Sequence, residues 1–483
     1  MNGIIFVKPD QAFGIDVSPP LGVFYLAAVL REHGWDDIAV VDLRLKGQSE
    51  AALIQRVGRE KPQFVGFSGL SYESEAIHRL AAAVKDGSPQ TKVLIGGSYA
   101  SILPQQALAD ERVDALVLGE GELVLPELLD RLRNDRPLDD LAGVAFRRDG
   151  EPQINPHGPF VEQLDELPYP AWDLARIPDY WQEKRQGFIC KYPEYFVMFS
   201  SRGCPYRCIY CHNMFGKRFR ARSAPNVLGE IERLITDHGV RELQFIDDIF
   251  NLDRERAAAI YQGIIDRGWK IAMNYSNGLR GDLLTPELIK LMARAGVYKV
   301  SVAIESGDAQ MQRFIGKNLQ LERARENVEL LVRHGIMTHL FFMLGFPDET
   351  REQMQRTLDF ARKSSAHSAS FFIVHPFHGT RLAEILRERG RGELISLEAS
   401  NYFDPKMADF QLSEVEPDEL RGLVKGAFRS FYLNPARWWR IVRHIPRKRQ
   451  LFFLGFLVLT RTFAQGLVRF ERLLFHREGR SEA

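Results

Sequence analysis

Apolar residues in the first third of the chain come in short runs separated by longer amphipathic stretches. The runs predict strands at 4–7, 39–43, 64–67, 93–95 and 115–118, and the stretches predict helices near 21–34, 49–60, 73–86 and 121–134. Alternation at this spacing predicts an α/β fold, with a doubly wound parallel sheet over residues 1–135 that is covered by helices on both faces. Ligands of such sheets sit beyond the carboxyl ends of the strands. Two predicted strands run into glycines, Gly96-Gly97-Ser98 and Gly119-Glu120-Gly121-Glu122, where a ligand could approach the backbone. Tight strand-to-helix turns would use the same glycines.

Residues 136–195 are irregular and rich in proline and aromatics, with a hairpin expected around Asp149-Gly150; they read as a linker packed between domains. From 196 the alternation resumes, with strands predicted at 196–200, 242–246, 271–275, 298–304, 338–344 and 370–374. Six successive βα units predict a partial barrel over 196–400, whose chemistry belongs at the C-terminal ends of its strands. Residues 401–483 form a helical C-terminal extension.

Composition narrows the function classes. A chain of 483 residues with 45% hydrophobic and 26% charged content is globular and long enough for two or three domains. A net charge of +1 gives no reason to expect a polyanion as partner. The opening MNGIIFVKPD lacks the basic segment and apolar run of a signal peptide, so a cytoplasmic protein is expected. The longest apolar run, LFFLGFLVL at 451–459, falls far short of the roughly 20 residues that span a bilayer. The same region is strongly basic: from Leu420 to Phe470 there is no Asp or Glu against eleven Lys and Arg. Arg437, Arg440, Arg443 and Arg447 recur at helical spacing beside Trp438, Trp439, Ile441 and Val442. Two readings stand for 435–475: peripheral contact with an anionic membrane surface, or a basic cap closing the barrel mouth. No nucleic-acid module accompanies the stretch, so no nucleic-acid partner is expected.

Three of the four cysteines, Cys204, Cys208 and Cys211, lie in RGCPYRCIYCHN, directly after the first strand of the second series. So few cysteines, so clustered, suit a metal site in a reducing compartment better than a disulfide framework. The C-x3-C-x2-C spacing can hold three irons of a cubic cluster and leave the fourth open. The alternative is a closed zinc site with Cys190 as fourth ligand, although Cys190 lies fourteen residues upstream of Cys204, across a predicted strand.

In this arrangement the chain resembles the radical S-adenosylmethionine enzymes. The resemblance implies a [4Fe–4S] cluster on the three cysteines, with S-adenosylmethionine chelating the open iron. Reductive cleavage by the cluster, fed by an electron donor such as flavodoxin or ferredoxin, would then generate a 5′-deoxyadenosyl radical. It also implies S-adenosylmethionine contacts from Tyr210, from Asp247 and Asp248 after the second strand, from Asn277 and Arg280 after the third, and from Glu305 and Ser306 after the fourth. A salt-bridge layer across the barrel mouth would use Asp247, Arg280 and Glu305 equally well. Leu344-Gly345-Phe346-Pro347-Asp348-Glu349-Thr350 resembles the G-x-P-x-E-T of the family and suits the start of the next helix. His375 and His378 after the sixth strand either line the substrate cavity or pack at a helix start.

The N-terminal half resembles the cobalamin-binding domain found ahead of many such enzymes, through Pro19-Pro20-Leu21-Gly22, Val41-Asp42-Leu43, Ile95-Gly96-Gly97 and Leu118-Gly119-Glu120-Gly121-Glu122. The contacts implied for cobalamin are Pro20, Leu21, Gly22, Gly96, Gly97, Ser98, Gly119, Glu120 and Gly121. The loop after the first strand, residues 8–16, lacks the D-x-H-x-x-G that gives a histidine to cobalt. His33 and His78 fall in predicted helices, where packing roles are commoner. Cobalamin is therefore expected without a histidine below the metal and with its nucleotide tail near 96–98. The expected activity is methylation of an unactivated carbon of a small organic or lipid-like substrate. A radical cyclase of the anaerobic Mg-protoporphyrin ester type is the alternative within this architecture, and a non-enzymatic cobalamin or iron–sulfur sensor is the alternative outside it. A transfer-RNA methylthiotransferase is disfavoured, because the N-terminal half lacks the cysteines for a second cluster.

Overall fold

The computed structural model describes residues 3–10, 17–183, 189–212, 214–395 and 410–463. Residues 11–16 of the histidine-free loop, 396–409 at the predicted barrel boundary and 464–475 of the basic stretch lie outside these. The chain forms two compact units: Met1–Arg185 with Asn213–Arg222, and Gln186–His212 with Ser223–Ala483.

The first unit is built on a seven-stranded sheet. Strands β1 (Ile4–Lys8), β2 (Ile38–Asp42), β3 (Phe64–Ser68), β4 (Lys92–Gly96) and β5 (Ala115–Val117) run parallel in the order β2-β1-β3-β4-β5. β6 (Val144–Arg148) and β7 (Glu151–Ile154) add an antiparallel hairpin at one edge, turning at Asp149-Gly150 as expected. The run IIFV explains why β1 is central. Ile5 and Val7 enter the core against Leu53 and Val57 of α2 (Glu50–Glu60) and Ile77, Leu80 and Val84 of α3 (Ser74–Gly87). Ile4 and Phe6 enter the opposite core with Val23 and Leu30 of α1 (Leu21–Glu32) and Leu125 and Leu128 of α4 (Leu125–Arg133). A strand covered on both faces needs apolar residues at every position, so it reads as a continuous run and not as an alternation.

The second unit holds a six-stranded, all-parallel sheet of β8 (Tyr195–Met198), β9 (Glu242–Phe245), β10 (Ala272–Leu279), β11 (Val297–Glu305), β12 (Met337–Leu344) and β13 (Ser368–Ile373), paired in chain order. Helices α5 (Ala224–Thr236), α6 (Arg254–Asp266), α7 (Pro286–Ala295), α8 (Leu321–Arg333) and α9 (Arg351–Lys363) make the crossovers. Most begin at a side-chain cap: Ser223, Asp253 and Thr285 each accept the amide three residues on. Thr350 and Gln353 form a full capping box on α9, so the Glu-Thr of the G-x-P-x-E-T stretch does start a helix. A further helix, α10 (Arg381–Glu388), is capped by Thr380.

The described C-terminal residues form α11 (Pro417–Tyr432), α12 (Pro435–His444) and α13 (Gln450–Phe463). Arg437 of α12 is fully buried and donates to the carbonyls of Arg362, Ser364 and Ala366, just before β13 begins. Ile445 packs with Met337, the first residue of β12, and with Ile189, ahead of β8. α12 therefore lies at the amino ends of the strands, whereas Leu420 of α11 packs against Gly345 just past the carboxyl end of β12. Carbonyls left over at the end of α9 attract the Arg437 guanidinium, which removes it from the exposed basic stripe predicted from its spacing. No helix among the described residues is long and apolar enough to cross a membrane.

Candidate functional site

The cysteine loop leaves the carboxyl end of β8 and is held from several sides. Ile209 N donates to Ile315 O (3.0 Å), Leu382 N donates to Ile209 O (2.7 Å), and Cys211 N turns back to Cys208 O (3.2 Å). Gly316, at φ +72°, lets Arg207 O approach to 2.6 Å from where a Cβ would stand. Arg280 stacks on Tyr206, its guanidinium carbon 3.8 Å from the ring centroid. None of the three thiols is in a disulfide; Cys204 and Cys208 are half-buried and Cys211 is exposed. Tyr210 packs on Phe346 at 5.7 Å between centroids, and burial pushes its phenol well above the usual range.

Around the loop, the strand ends supply polar groups. Glu305 ends β11 beyond a bulge, at φ +67°, and its carboxylate accepts from Lys317 Nζ at 3.0 Å. A glutamate held in left-handed backbone is strained, a condition that clusters at functional sites. Asp248 is exposed, and Asn277, also exposed, donates to Ile246 O (2.8 Å).

In the first unit, the two glycine turns lie side by side. Ser101 joins them, donating to Gly97 O (2.9 Å) and accepting from Gly119 N (2.8 Å). A Cβ placed on Gly22 would meet nothing within 4 Å, and one on Gly96 nothing nearer than Val117 at 4.0 Å. At the carboxyl end of β1, where a histidine-bearing loop would begin, Lys8 forms a buried ion pair with Glu73 (2.5 and 2.6 Å). Beside it, Asp42 accepts from Arg44 and from Tyr180 Oη (2.9 Å).

Comparison with known proteins matches residues 198–361 to the radical SAM superfamily and residues 16–129 to the B12 binding domain. An uncharacterized methyltransferase of Pyrococcus horikoshii is 30% identical over 86% of this chain and 88% of its own. The cytidylyl-2-hydroxyethylphosphonate methyltransferase of Streptomyces wedmorensis is 29% identical over 79% and 80%. The anaerobic magnesium-protoporphyrin IX monomethyl ester cyclase of Rubrivivax gelatinosus is 25% identical over 90% and 78%. The chain belongs to the cobalamin-binding radical S-adenosylmethionine enzymes. The solved structure of the cobalamin-dependent radical enzyme OxsB shares its fold, with a TM-score of 0.71 at 17% identity over 98% of this chain and 75% of that one.

As a radical S-adenosylmethionine enzyme of this type, the protein uses a [4Fe–4S] cluster, S-adenosylmethionine and cobalamin. Its residues fit these groups. A cubane takes one thiolate at each of three corners, and a single pinned loop presents three thiols. Zinc fits less well. The Cys190 thiol, its proposed fourth ligand, accepts from Gln450 Nε2 at 3.2 Å. The open space at Gly22 and Gly96 leaves room beside the glycine turns for cobalamin. His33 Nδ1 is satisfied by Val29 O (2.9 Å), and both ring nitrogens of His78 are engaged, by Asp110 and Tyr99 (2.8 Å each).

Several residues expected to meet cofactors also have partners within the protein. Arg280 donates to Asp282 (2.9 and 3.2 Å), Lys317 O (2.8 Å) and Asn318 O (3.0 Å). Asp247 is buried and accepts from the Ser200 and Ser201 hydroxyls (2.7 and 2.5 Å), tying β9 to the strand end before the cysteine loop. Ser306 bonds Thr357 and the amide of Asp308. Glu120 receives both arms of Arg220 and the amide of Val161. Gly97 is needed for packing, since a Cβ there would stand 2.8 Å from Gly69 O. Ser98 and Gly121 adjoin these glycine turns while Pro20 and Leu21 open α1; Leu21 and Gly121 are buried, Pro20 and Ser98 half-buried. His375 packs edge-on against Phe410 (5.1 Å). The sequence reading missed Tyr206, Ser101, Lys317 and Asp282. Only Tyr206 carried a signal, an aromatic inside the cysteine loop.

Proposed function

We propose that this enzyme methylates an unactivated carbon of a small organic or lipid-like substrate. The observation that carries the reading is the pairing, in one chain, of a pinned three-thiol loop at the carboxyl end of a parallel barrel sheet with a glycine-turn cobalamin domain. The most similar of the relatives above are named methyltransferases, which favours methyl transfer over cyclisation. When bound, the cluster and S-adenosylmethionine supply one-electron chemistry and cobalamin carries the methyl group.

In this reading Cys204, Cys208 and Cys211 hold the cluster. Tyr210, Asp248, Asn277 and Glu305 meet S-adenosylmethionine, with the Lys317–Glu305 pair orienting the carboxylate. Arg280, Asp247 and Ser306 act behind them by fixing the loops. Gly22, Gly96 and Ser98 border the cobalamin tail, and neither His33 nor His78 supplies a ligand to the cobalt. The domain limits proposed are 1–135 for cobalamin, 136–195 for the linker, 196–400 for the barrel and 401–483 for the helical extension. A flavodoxin or ferredoxin supplies electrons, in a cytoplasmic setting suited to free thiols.

The test is anaerobic reconstitution followed by absorption spectroscopy and turnover of methyl-labelled S-adenosylmethionine. Wild type should show an iron–sulfur shoulder with cobalamin bands and release 5′-deoxyadenosine on reduction. The Cys204→Ala/Cys208→Ala/Cys211→Ala variant should lose the shoulder and the cleavage while keeping cobalamin. A cluster-loaded, reduced protein that never cleaves S-adenosylmethionine would sink the reading and favour a sensor.

A further inference from the structure

The fixed orientation of α12 exposes a face that the reaction does not use. One side of this helix is locked to the barrel by Arg437, by Ile441 and Ile445, and by His444, whose Nδ1 lies 2.7 Å from His367 Nε2. The other side carries Trp439, 68% exposed, Val442, 37% exposed, and Arg443, also exposed, at successive helical turns. Leu433 just before the helix is 64% exposed, and Phe452 at the start of α13 is 85% exposed. Eight large hydrophobic residues are exposed among the described ones, and four of them fall within residues 433–452. That concentration is not the single scatter expected of an ordinary surface. Lys448 and Arg449, both exposed, lie in the turn between the two helices.

We infer that this face is a peripheral docking surface for an anionic lipid bilayer. Trp439 and Phe452 are the side chains that settle at the boundary between headgroups and acyl chains. Arg443, Lys448 and Arg449 supply the charge that an anionic leaflet attracts, in a segment with no acidic residue from Leu420 to Phe470. The helix is amphipathic before it meets the membrane, because its inner face is already spent on the barrel. Docking therefore needs no folding step. A second copy of the chain is a poor occupant, since self-pairing would set these cations against one another. With no spanning helix among the described residues, the contact is a surface one. Such docking is the same whichever carbon is methylated.

The experiment is co-sedimentation of the full-length, cofactor-loaded protein with vesicles of phosphatidylcholine alone and with 30% phosphatidylglycerol. Wild type should sediment with the anionic vesicles only and be released by high salt. Each near-surface cation contributes about five-fold to partitioning, so Arg443→Gln/Lys448→Gln/Arg449→Gln should weaken binding about a hundred-fold. Trp439→Ser/Phe452→Ser should abolish insertion, read as loss of the tryptophan blue shift. Circular dichroism and iron and cobalamin content, unchanged in both variants, show that the fold is intact. Wild-type binding that matches either variant's overturns the inference. So does wild-type binding to a single-stranded RNA in place of vesicles, or a wild-type dimer that Trp439→Ser/Phe452→Ser dissolves.

Discussion

Removing Arg220 should destabilise the cobalamin unit more than any other single polar change in it. The guanidinium is 4% exposed and meets Glu120 through two bonds, at 2.6 and 2.9 Å, while also donating to Val161 O (2.6 Å) and Phe215 O (2.8 Å) and lying 4.9 Å over the Phe160 ring. Arg220→Met leaves the Glu120 carboxylate, itself 3% exposed and bonded by the Val161 amide, without its buried counter-charge. Stranding one partner of a buried pair costs about 3–5 kcal/mol, and each carbonyl that loses its donor adds about 1 kcal/mol. Glu120→Gln strands the guanidinium instead, at a cost of about 3 kcal/mol. The double variant buries no lone charge and retains only the carbonyl losses, about 2 kcal/mol. A double-mutant cycle by urea unfolding should therefore show a coupling of about 6 kcal/mol or more. Additivity within about 0.5 kcal/mol would refute the pair as an energetic unit. Cobalamin retention provides the second readout. If Glu120 is a structural residue and not a ligand, the double variant should bind cobalamin like wild type once folded. A double variant of near-normal stability that had lost cobalamin would restore Glu120 as a ligand.

Glu349 accepts from the amides of Gly345 and Phe346 (2.7 and 3.0 Å), yet its Oε1 is buried without a partner, and desolvation raises its carboxyl to about 8. The fold thus binds a proton that the unfolded chain releases near 4.5, so stability falls as pH rises from 4.5 to 8. Glu349→Gln should gain on wild type by about 1.4 kcal/mol per pH unit across that window, read from urea midpoints at pH 5, 7 and 9; parallel profiles would contradict the assignment. His367 shows the opposite sign. Burial first, then His444, Arg440 and Arg437, lower it to about 3, so its contribution is intact above 6.5 and fades as pH falls towards 3. Hydrogen exchange over 435–445 should accelerate, relative to the barrel strands, between pH 7 and 5, and equal protection at both would argue against it. Arg280→Lys keeps the charge but forfeits the stack on Tyr206 and most of the bonds to Asp282, Lys317 and Asn318. Iron bound after reconstitution should fall below about half of wild type if the loop needs that brace; full loading would show that it does not.

How much of this was legible in the sequence depended on the distance over which each feature is decided. The cysteine loop was readable because three thiols on one cubane must be close in sequence, and the strands were readable because two covered faces demand unbroken apolar runs. The intramolecular partners of the charged residues at strand ends were not legible, for a single reason. A carboxylate or guanidinium at the carboxyl end of a strand looks the same in sequence whether it waits for a ligand or is paired already. The partner that decides the matter for Glu120 lies 100 positions away, and those for Arg280 lie 37 and 38 away. The Thr357 partner of Ser306 lies 51 positions away.

Arg437 shows the same limit in the tail. Its spacing placed it on a basic stripe with Arg440, Arg443 and Arg447, and no local pattern marks it as the one that turns inward. The carbonyls that draw it in belong to residues 362–366, at the end of a helix some seventy positions earlier. Burying that one arginine sets the rotation of α12, and so decides which residues of the stripe face solvent. Trp439 and Arg443 are outside because Arg437 and Ile441 are inside. Shortening the anchor with Arg437→Ala should therefore free the helix to rotate, and lipid binding should lose its dependence on Trp439 before it loses its dependence on charge.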